Sequence, residues 1–217
     1  MSVLKVGGAT VNQTPLDWEG NLQNIKSAIE EAKFQGVEIL CFPELSITGY
    51  GSEDLFLSNW YIKKSLTYIQ KTIPLCTGMT VCLGTPLRVN SKLYNCMAII
   101  EGNKILSFVA KQSLAIDGVH YESRWFTAWE AGKVTTVDFF GEEVPVGDII
   151  CEKKGVVYGF EICEDAWRGT LRPGLRLMDR SVDLIFNRTP LANVIWVIAR
   201  SAISRCSLIS PAGPKSV

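Results

Sequence analysis

The chain has one histidine, His120, in 217 residues. Any Cys-His or Ser-His mechanism would have to run through that position, and its surroundings carry no such pattern, so His120 reads as a loop residue. Charge of one sign is also missing. The 22 basic and 22 acidic residues cancel, which disfavours a surface built for nucleic acid or an anionic membrane. No apolar run approaches the roughly 18 residues that a membrane span needs. The opening Met1-Ser2-Val3-Leu4-Lys5-Val6 lacks an apolar stretch followed by a cleavage site, and a cytoplasmic location is expected. No Cys-x-x-Cys pair occurs. The seven cysteines, at 41, 76, 82, 96, 151, 163 and 206, are odd in number and lie mostly in apolar runs such as Val81-Cys82-Leu83; they read as reduced, buried thiols. Neither a Gly-x-x-x-x-Gly-Lys loop nor a Ser-Gly-Gly loop is present, so no phosphate cradle is expected.

What is present is enough to fold. Apolar residues make up 47% of the chain, the usual globular share, and the length suits one core. Val3 to Val11 reads as a strand. Asp17 to Gly36 places Leu22, Ile25, Ala28, Ile29 and Ala32 at helical spacing, with Gly36 as the stop. Val37 to Phe42 is short and wholly apolar, as in a strand covered on both faces. A second helix is predicted from Glu53 to Ile73, then strands at Thr80 to Thr85, Tyr94 to Ile100 and Ile105 to Val109, with Asn103 in a hairpin turn. After a polar stretch from Lys111 to Trp129, strands are predicted near Val134 to Phe139, Asp148 to Cys151, Val156 to Phe160 and Val182 to Phe186. Many strands with few helices fit one or two sheets whose outer faces carry helices.

Three residues stand where predicted strands leave the core. Cys163, in Gly159-Phe160-Glu161-Ile162-Cys163-Glu164-Asp165, sits at a strand-to-helix elbow, where outward N–H groups and the positive helix end favour a thiolate. The alternative for any one cysteine is a structural thiol. Glu44 follows the apolar strand and Pro43, and is either a surface carboxylate or a site acid/base. Lys111 ends the run Ile105 to Ala110, and the alternative there is a solvated lysine. Together the three supply a nucleophile, a base and a cation for a developing oxyanion, without a histidine.

Phe42-Pro43-Glu44-Leu45-Ser46-Ile47-Thr48-Gly49-Tyr50, Lys111-Gln112-Ser113-Leu114 and Glu161-Ile162-Cys163-Glu164-Asp165-Ala166-Trp167 resemble, in the same order, the three catalytic blocks of the nitrilase superfamily of carbon-nitrogen hydrolases. Within it, Tyr121-Glu122-Ser123-Arg124-Trp125-Phe126 and Val144-Pro145-Val146-Gly147-Asp148 are similar to the glutaminase domains of glutamine-dependent NAD synthetases. The resemblance implies an αββα sandwich of the α/β class, with Cys163 as nucleophile, Glu44 as general base and Lys111 at the oxyanion. It implies that Glu122 orients Lys111 or the leaving group, where the alternative is an ion pair with Arg124. It also implies that the N–H after Cys163 completes the oxyanion hole. Tyr50, Glu164 and Trp167 flank the blocks and are expected at the substrate; Trp125, Phe126 and Trp129 can wall the site or pack the core. The implied reaction is glutamine hydrolysis through a thioester, with no metal and no cofactor. ATP and deamido-NAD would belong to a synthetase domain, in cis in a longer chain or in trans. A homo-oligomer is expected, since nitrilase-like sandwiches tend to pair across a sheet face.

The resemblance runs from about Val3 to Asn187, so residues 1–187 are taken as the domain and 188–217 as a divergent tail. From Arg188 onward four basic residues and no acid occur. Such a change is what a shifted frame, an altered splice or a truncation would produce, and it leaves the sandwich expected to be incomplete at its C-terminus. The competing readings are an amidase for another small amide and an inactive fragment.

Overall fold

The computed structural model describes residues 4–117, 121–188, 196–199 and 206–209; His120 lies outside them. Strand β1 (Val6–Ala9) leads to α1 (Trp18–Phe34) and β2 (Ile39–Cys41). Asp17 caps α1 by accepting from Gly20 N at 3.0 Å, and Gly36 leaves it at φ +69°. The predicted second helix is shorter than expected. Tyr50–Leu57 is a 3-10 segment broken at Gly51 and Glu53, and α2 (Asn59–Thr72) starts only after Ser58. The cause is tertiary: Asp54 is held by Arg124 and by the Trp125 indole, 70 and 71 residues away.

Strands β3 (Thr80–Val89), β4 (Lys92–Glu101) and β5 (Lys104–Ala110) form an antiparallel meander. Its turns carry left-handed pairs, Asn90-Ser91 and Gly102-Asn103, so Asn103 turns as expected. The hairpin of β6 (Val134–Phe139) and β7 (Glu142–Gly147) follows. Strand β7 was not anticipated, because Pro145 and paired glutamates disguise the inward alternation of Val144 and Val146. The strand expected at Asp148 to Cys151 begins only at Cys151; Asp148 turns instead, donating its N–H to Lys133 O. Next come β8 (Cys151–Lys153), β9 (Val156–Ile162), a short α3 (Pro173–Asp179), which the sequence reading also missed, and β10 (Leu184–Arg188). Strands β11 (Trp196–Ala199) and β12 (Cys206–Ile209) lie in the segment beyond Asn187. The first pairs antiparallel with β10 and the second parallel with β1.

The strands form two sheets, ordered β12-β1-β2-β3-β4-β5-β7-β6 and β11-β10-β9-β8. Their facing sides share a core of Val6, Ile39, Cys41, Met97 and Ile99 against Tyr158, Phe160, Leu184 and Phe186. The other face of the large sheet buries α1 and α2 through Ile25, Ile29, Tyr61 and Ile69. Leu177 of α3 covers Val182 and Ile185 on the outer face of the small sheet. Helix, sheet, sheet and helix therefore stack as the expected αββα sandwich. Among the described residues, no helix is long and apolar enough to cross a membrane.

Candidate active site

Glu44, Lys111 and Cys163 all lie just past strand ends, and the fold brings them together. Phe42 continues the ladder from β2 by donating to Cys82 O, and the chain then turns through Pro43 and Glu44 to Leu45, at φ +51°. This turn crosses directly over Gly84 of β3. A Cβ there would lie 2.2 Å from Leu45 N and 2.5 Å from Pro43 O, so only glycine lets the Glu44 segment descend. Ser46 Oγ and the Ile47 N–H lock it by bonding Gly84 N and O.

Lys111 follows β5 and stays laddered to β4, donating its N–H to Asn95 O at 2.9 Å. Its side chain has no exposure, as does that of Glu44. The ammonium donates to Glu44 Oε1 at 2.6 Å and to Glu122 Oε1 and Oε2 at 2.8 and 2.7 Å. Glu122 Oε2 also accepts the Ala115 N–H at 2.7 Å. Glu122 is therefore bound to Lys111 and not to Arg124, which pairs with Asp54 at 2.6 Å. Burial pushes the Glu44 carboxyl up, Lys111 opposes this and Glu122 adds to it, and the net shift is upward. For Lys111, burial acts downward, but Glu44, Glu122 and Cys163 together raise it, and it stays an ammonium.

Cys163 is half-buried and stands at φ +51°, a left-handed conformation that an L-residue holds only when its surroundings impose it. It opens a five-residue 3-10 turn, Cys163–Trp167, rather than the helix expected there. The long helix dipole is thus replaced by a nearer charge, for Cys163 and Lys111 interact electrostatically. Asp165 holds the elbow. Buried, it accepts Ile162 N at 3.0 Å through one oxygen, and Gln112 N at 3.1 Å and Ser113 N at 2.7 Å through the other. The Cys163 turn and the Lys111 strand exit are thereby tied to one carboxylate, whose titration burial pushes up to about 7. Burial likewise raises two other thiols, Cys76 to about 12 and Cys96 as well. Cys151, expected to be buried, is half-buried, as is Cys163.

The remaining expected residues divide. Tyr50 is half-buried beside the cluster, and burial followed by the Glu44 and Glu122 charges raises its phenol. Glu164 is half-buried and pairs with Arg168 at 3.2 Å. Trp167 is 75% exposed and does not wall the cluster. Phe126 and Trp129 are core, the first tilted against Phe56 and the second edge-on to Tyr94, and the half-buried Trp125 packs edge-on to Phe56. Sequence reasoning missed Asn95, Asp165 and Gly84. Asn95 did leave a signal: it is a lone amide in the otherwise apolar run Leu93 to Ile100, and a buried polar group needs partners.

The chain is matched over residues 5–213 by a family model described as carbon-nitrogen hydrolase. The chain belongs to the carbon-nitrogen hydrolase family. The match runs past Asn187, where the recognisable motifs end. Glutamine-dependent NAD(+) synthetase from Rattus norvegicus is 31% identical over 222 residues, covering 97% of this chain and 30% of that protein. The enzyme of the same name from Drosophila melanogaster is 34% identical over 177 residues, 75% of this chain and 22% of that protein. The crystal structure of a glutamine-dependent NAD(+) synthetase from Cytophaga hutchinsonii superimposes with a TM-score of 0.78 at 45% identity, covering 87% of this chain and 30% of that one. An amidase from Nesterenkonia sp. shares the fold, with a TM-score of 0.67 at 16% identity over 87% of this chain and 65% of that chain. This carbon-nitrogen hydrolase domain is homologous to part of the NAD synthetases, and it spans less than a third of their length.

Proposed function

We propose that the chain hydrolyses the side-chain amide of glutamine to glutamate and ammonia through a Cys163 thioester. The observation that carries this reading is the Lys111 ammonium, buried between Glu44 and Glu122 next to Cys163. The chemistry follows from the charges. Glu44, held above the ordinary carboxylate range, takes the thiol proton, and the sulfur attacks the amide carbon. In this reading Lys111 and the N–H of Glu164 stabilise the oxyanion. Glu44 returns the proton to the leaving nitrogen, ammonia departs, and a thioester remains. Glu44 then takes a proton from water, which attacks the thioester; glutamate leaves and the thiol is restored. Glu122 positions Lys111 throughout, while Tyr50 and Glu164 face the substrate. Proton transfer between Cys163 and Glu44 leaves the net charge of the buried cluster unchanged, which avoids creating a new uncompensated charge in low dielectric.

The names of the relatives support glutamine as donor. Ammonia would be consumed by a synthetase unit that uses ATP and deamido-NAD, in cis in a longer chain or in trans. The test is glutamate release from glutamine by the purified chain beside Cys163→Ala and Lys111→Ala. Both substitutions are expected to lower turnover by at least about a hundredfold. Lys111→Ala leaves two carboxylates buried together, so its melting curve must be compared with that of Cys163→Ala, which keeps the cluster. Turnover surviving in a folded Cys163→Ala would overturn the thioester. Faster hydrolysis of a plain aliphatic amide than of glutamine would overturn the substrate.

A further inference from the structure

Asn95 touches all three charged members of the cluster. Its backbone carbonyl accepts the backbone N–H of Lys111 at 2.9 Å. Its Nδ2 donates to Glu44 Oε1 at 2.6 Å and, at 3.4 Å, to Glu122 Oε1. The residue is 1% exposed and lies within β4, paired with Pro86 of β3, so it has little freedom to move away.

The two oxygens of Glu44 are not equivalent. Oε1 accepts from both Lys111 Nζ and Asn95 Nδ2, each at 2.6 Å. Oε2 is buried, and no described residue donates to it. An oxygen whose lone pairs are engaged by two short, charge-assisted bonds is the poorer proton acceptor. We propose that Asn95 is a positioning residue that occupies Oε1 of Glu44 and so makes Oε2 the oxygen that exchanges protons with Cys163 and the leaving nitrogen. The inference rests on reading Glu44 as the base.

A neutral donor suits this place. A second cation would neutralise the cluster and weaken the base, whereas an apolar residue would leave Oε1 one bond short and the two carboxylates unscreened from each other. The amide has two hydrogens and can serve Glu44 and Glu122 without adding charge. Among the described residues, the charged and titratable groups that interact with Glu44 are Lys111 after β5, Glu122 in the turn that follows and Tyr50 after the Glu44 loop, and Cys163 after β9 interacts with Lys111 and Tyr50. Against them the Asn95 bond favours the ionised carboxylate, so its loss should move the Glu44 titration upward.

The test reads Cys163 directly and needs no turnover. Alkylation of Cys163 by iodoacetamide is followed against pH by mass spectrometry of the Cys163 peptide, in the unaltered chain, Glu44→Gln, Asn95→Leu and the isosteric Asn95→Asp. The unaltered chain is expected to show an acid limb that Glu44→Gln lacks. Both Asn95 variants should keep the limb but displace it upward by about one pH unit, a roughly tenfold loss of alkylation rate on its acid side. A limb that is present but unmoved in the folded variants overturns the inference. Absence of the limb in the unaltered chain, or its survival in Glu44→Gln, removes Glu44 as base and the inference with it. Should neither variant fold, the Asn95 side-chain amide signals of the unaltered, nitrogen-15-labelled chain decide: they are expected to shift with the midpoint of the alkylation limb, and their failure to shift overturns the assignment.

Discussion

A lysine with no exposed side-chain surface is costly unless its charge is met, and Lys111 meets it twice, at Glu44 and Glu122. The second carboxylate makes the group more than a simple ion pair. In the proposed reaction the proton of Cys163 passes to Glu44, so the net charge of the cluster does not change. Asp165 shows the other use of a buried carboxylate, as a clamp on backbone N–H groups. Its titration is pushed up to about 7, against about 3.9 in an unfolded chain. Between those values the folded chain keeps a proton that the unfolded chain releases, so Asp165 makes stability fall as pH rises from about 4 to 7. Outside that window it contributes no slope. Asp165→Asn imitates the protonated form, and urea unfolding at a series of pH values is expected to show a shallower decline over this window. An unchanged slope would mean that the three N–H donors keep the carboxylate ionised at ordinary values. At this scale the motifs made Glu44, Lys111, Cys163 and Glu122 legible, because each stands in a recognisable block. Asn95 showed only as a lone amide in an apolar run, and its pairing with Glu44, 51 residues away, was not legible.

Elements place these side chains by where they stop. Strands β2, β5 and β9 end at one rim of the sandwich, and the turns that leave them carry Glu44, Lys111 and Cys163. Two of those turns are strained at non-glycine residues, Leu45 and Cys163, both left-handed. The Glu44 turn also needs a neighbour without a side chain, Gly84. Gly84→Ala places a methyl group against the backbone of Pro43 and Leu45, which cannot yield as a flexible side chain would. The expected result is a loss of about 1–3 kcal/mol in stability together with a fall in kcat, measured by chemical unfolding and glutamate release. Wild-type kcat in this variant would mean that the turn shifts without moving Glu44. Apolar patterning located most strands, because alternation and short apolar runs report burial. Strand β7 and helix α3 escaped it. A proline hides the first, and the second is seven residues long and buries mainly Leu177.

At the scale of the molecule, two sheets meet through an aromatic layer in which Phe160 and Phe186 stack with centroids 5.5 Å apart and Tyr158 stands edge-on to both. Strand β9, which delivers Cys163, runs through this layer, so packing between the sheets sets the height of Cys163 against Lys111. Phe160→Ala is expected to cost about 3–5 kcal/mol and to lower the melting temperature on the order of 10 °C. Near- and far-ultraviolet circular dichroism should still report one transition, since both sheets share this core. Separate transitions would show that the sheets unfold independently. The amino-acid sequence by itself marked Glu44, Lys111 and Cys163 at strand ends and sheets with helices on their outer faces, because those are local: a residue type at a strand end, and the periodicity of the strand before it; the αββα sandwich followed from the resemblance of its motifs. Only the tertiary structure decided which carboxylates hold Lys111, that Arg124 belongs to Asp54, that Trp167 points away, and that Asn95 and Asp165 tie the cluster together. The reason is separation along the chain. Glu44 and Lys111 lie 67 residues apart, and no local pattern states which of many strand ends will share a rim or which buried donor will find which acceptor.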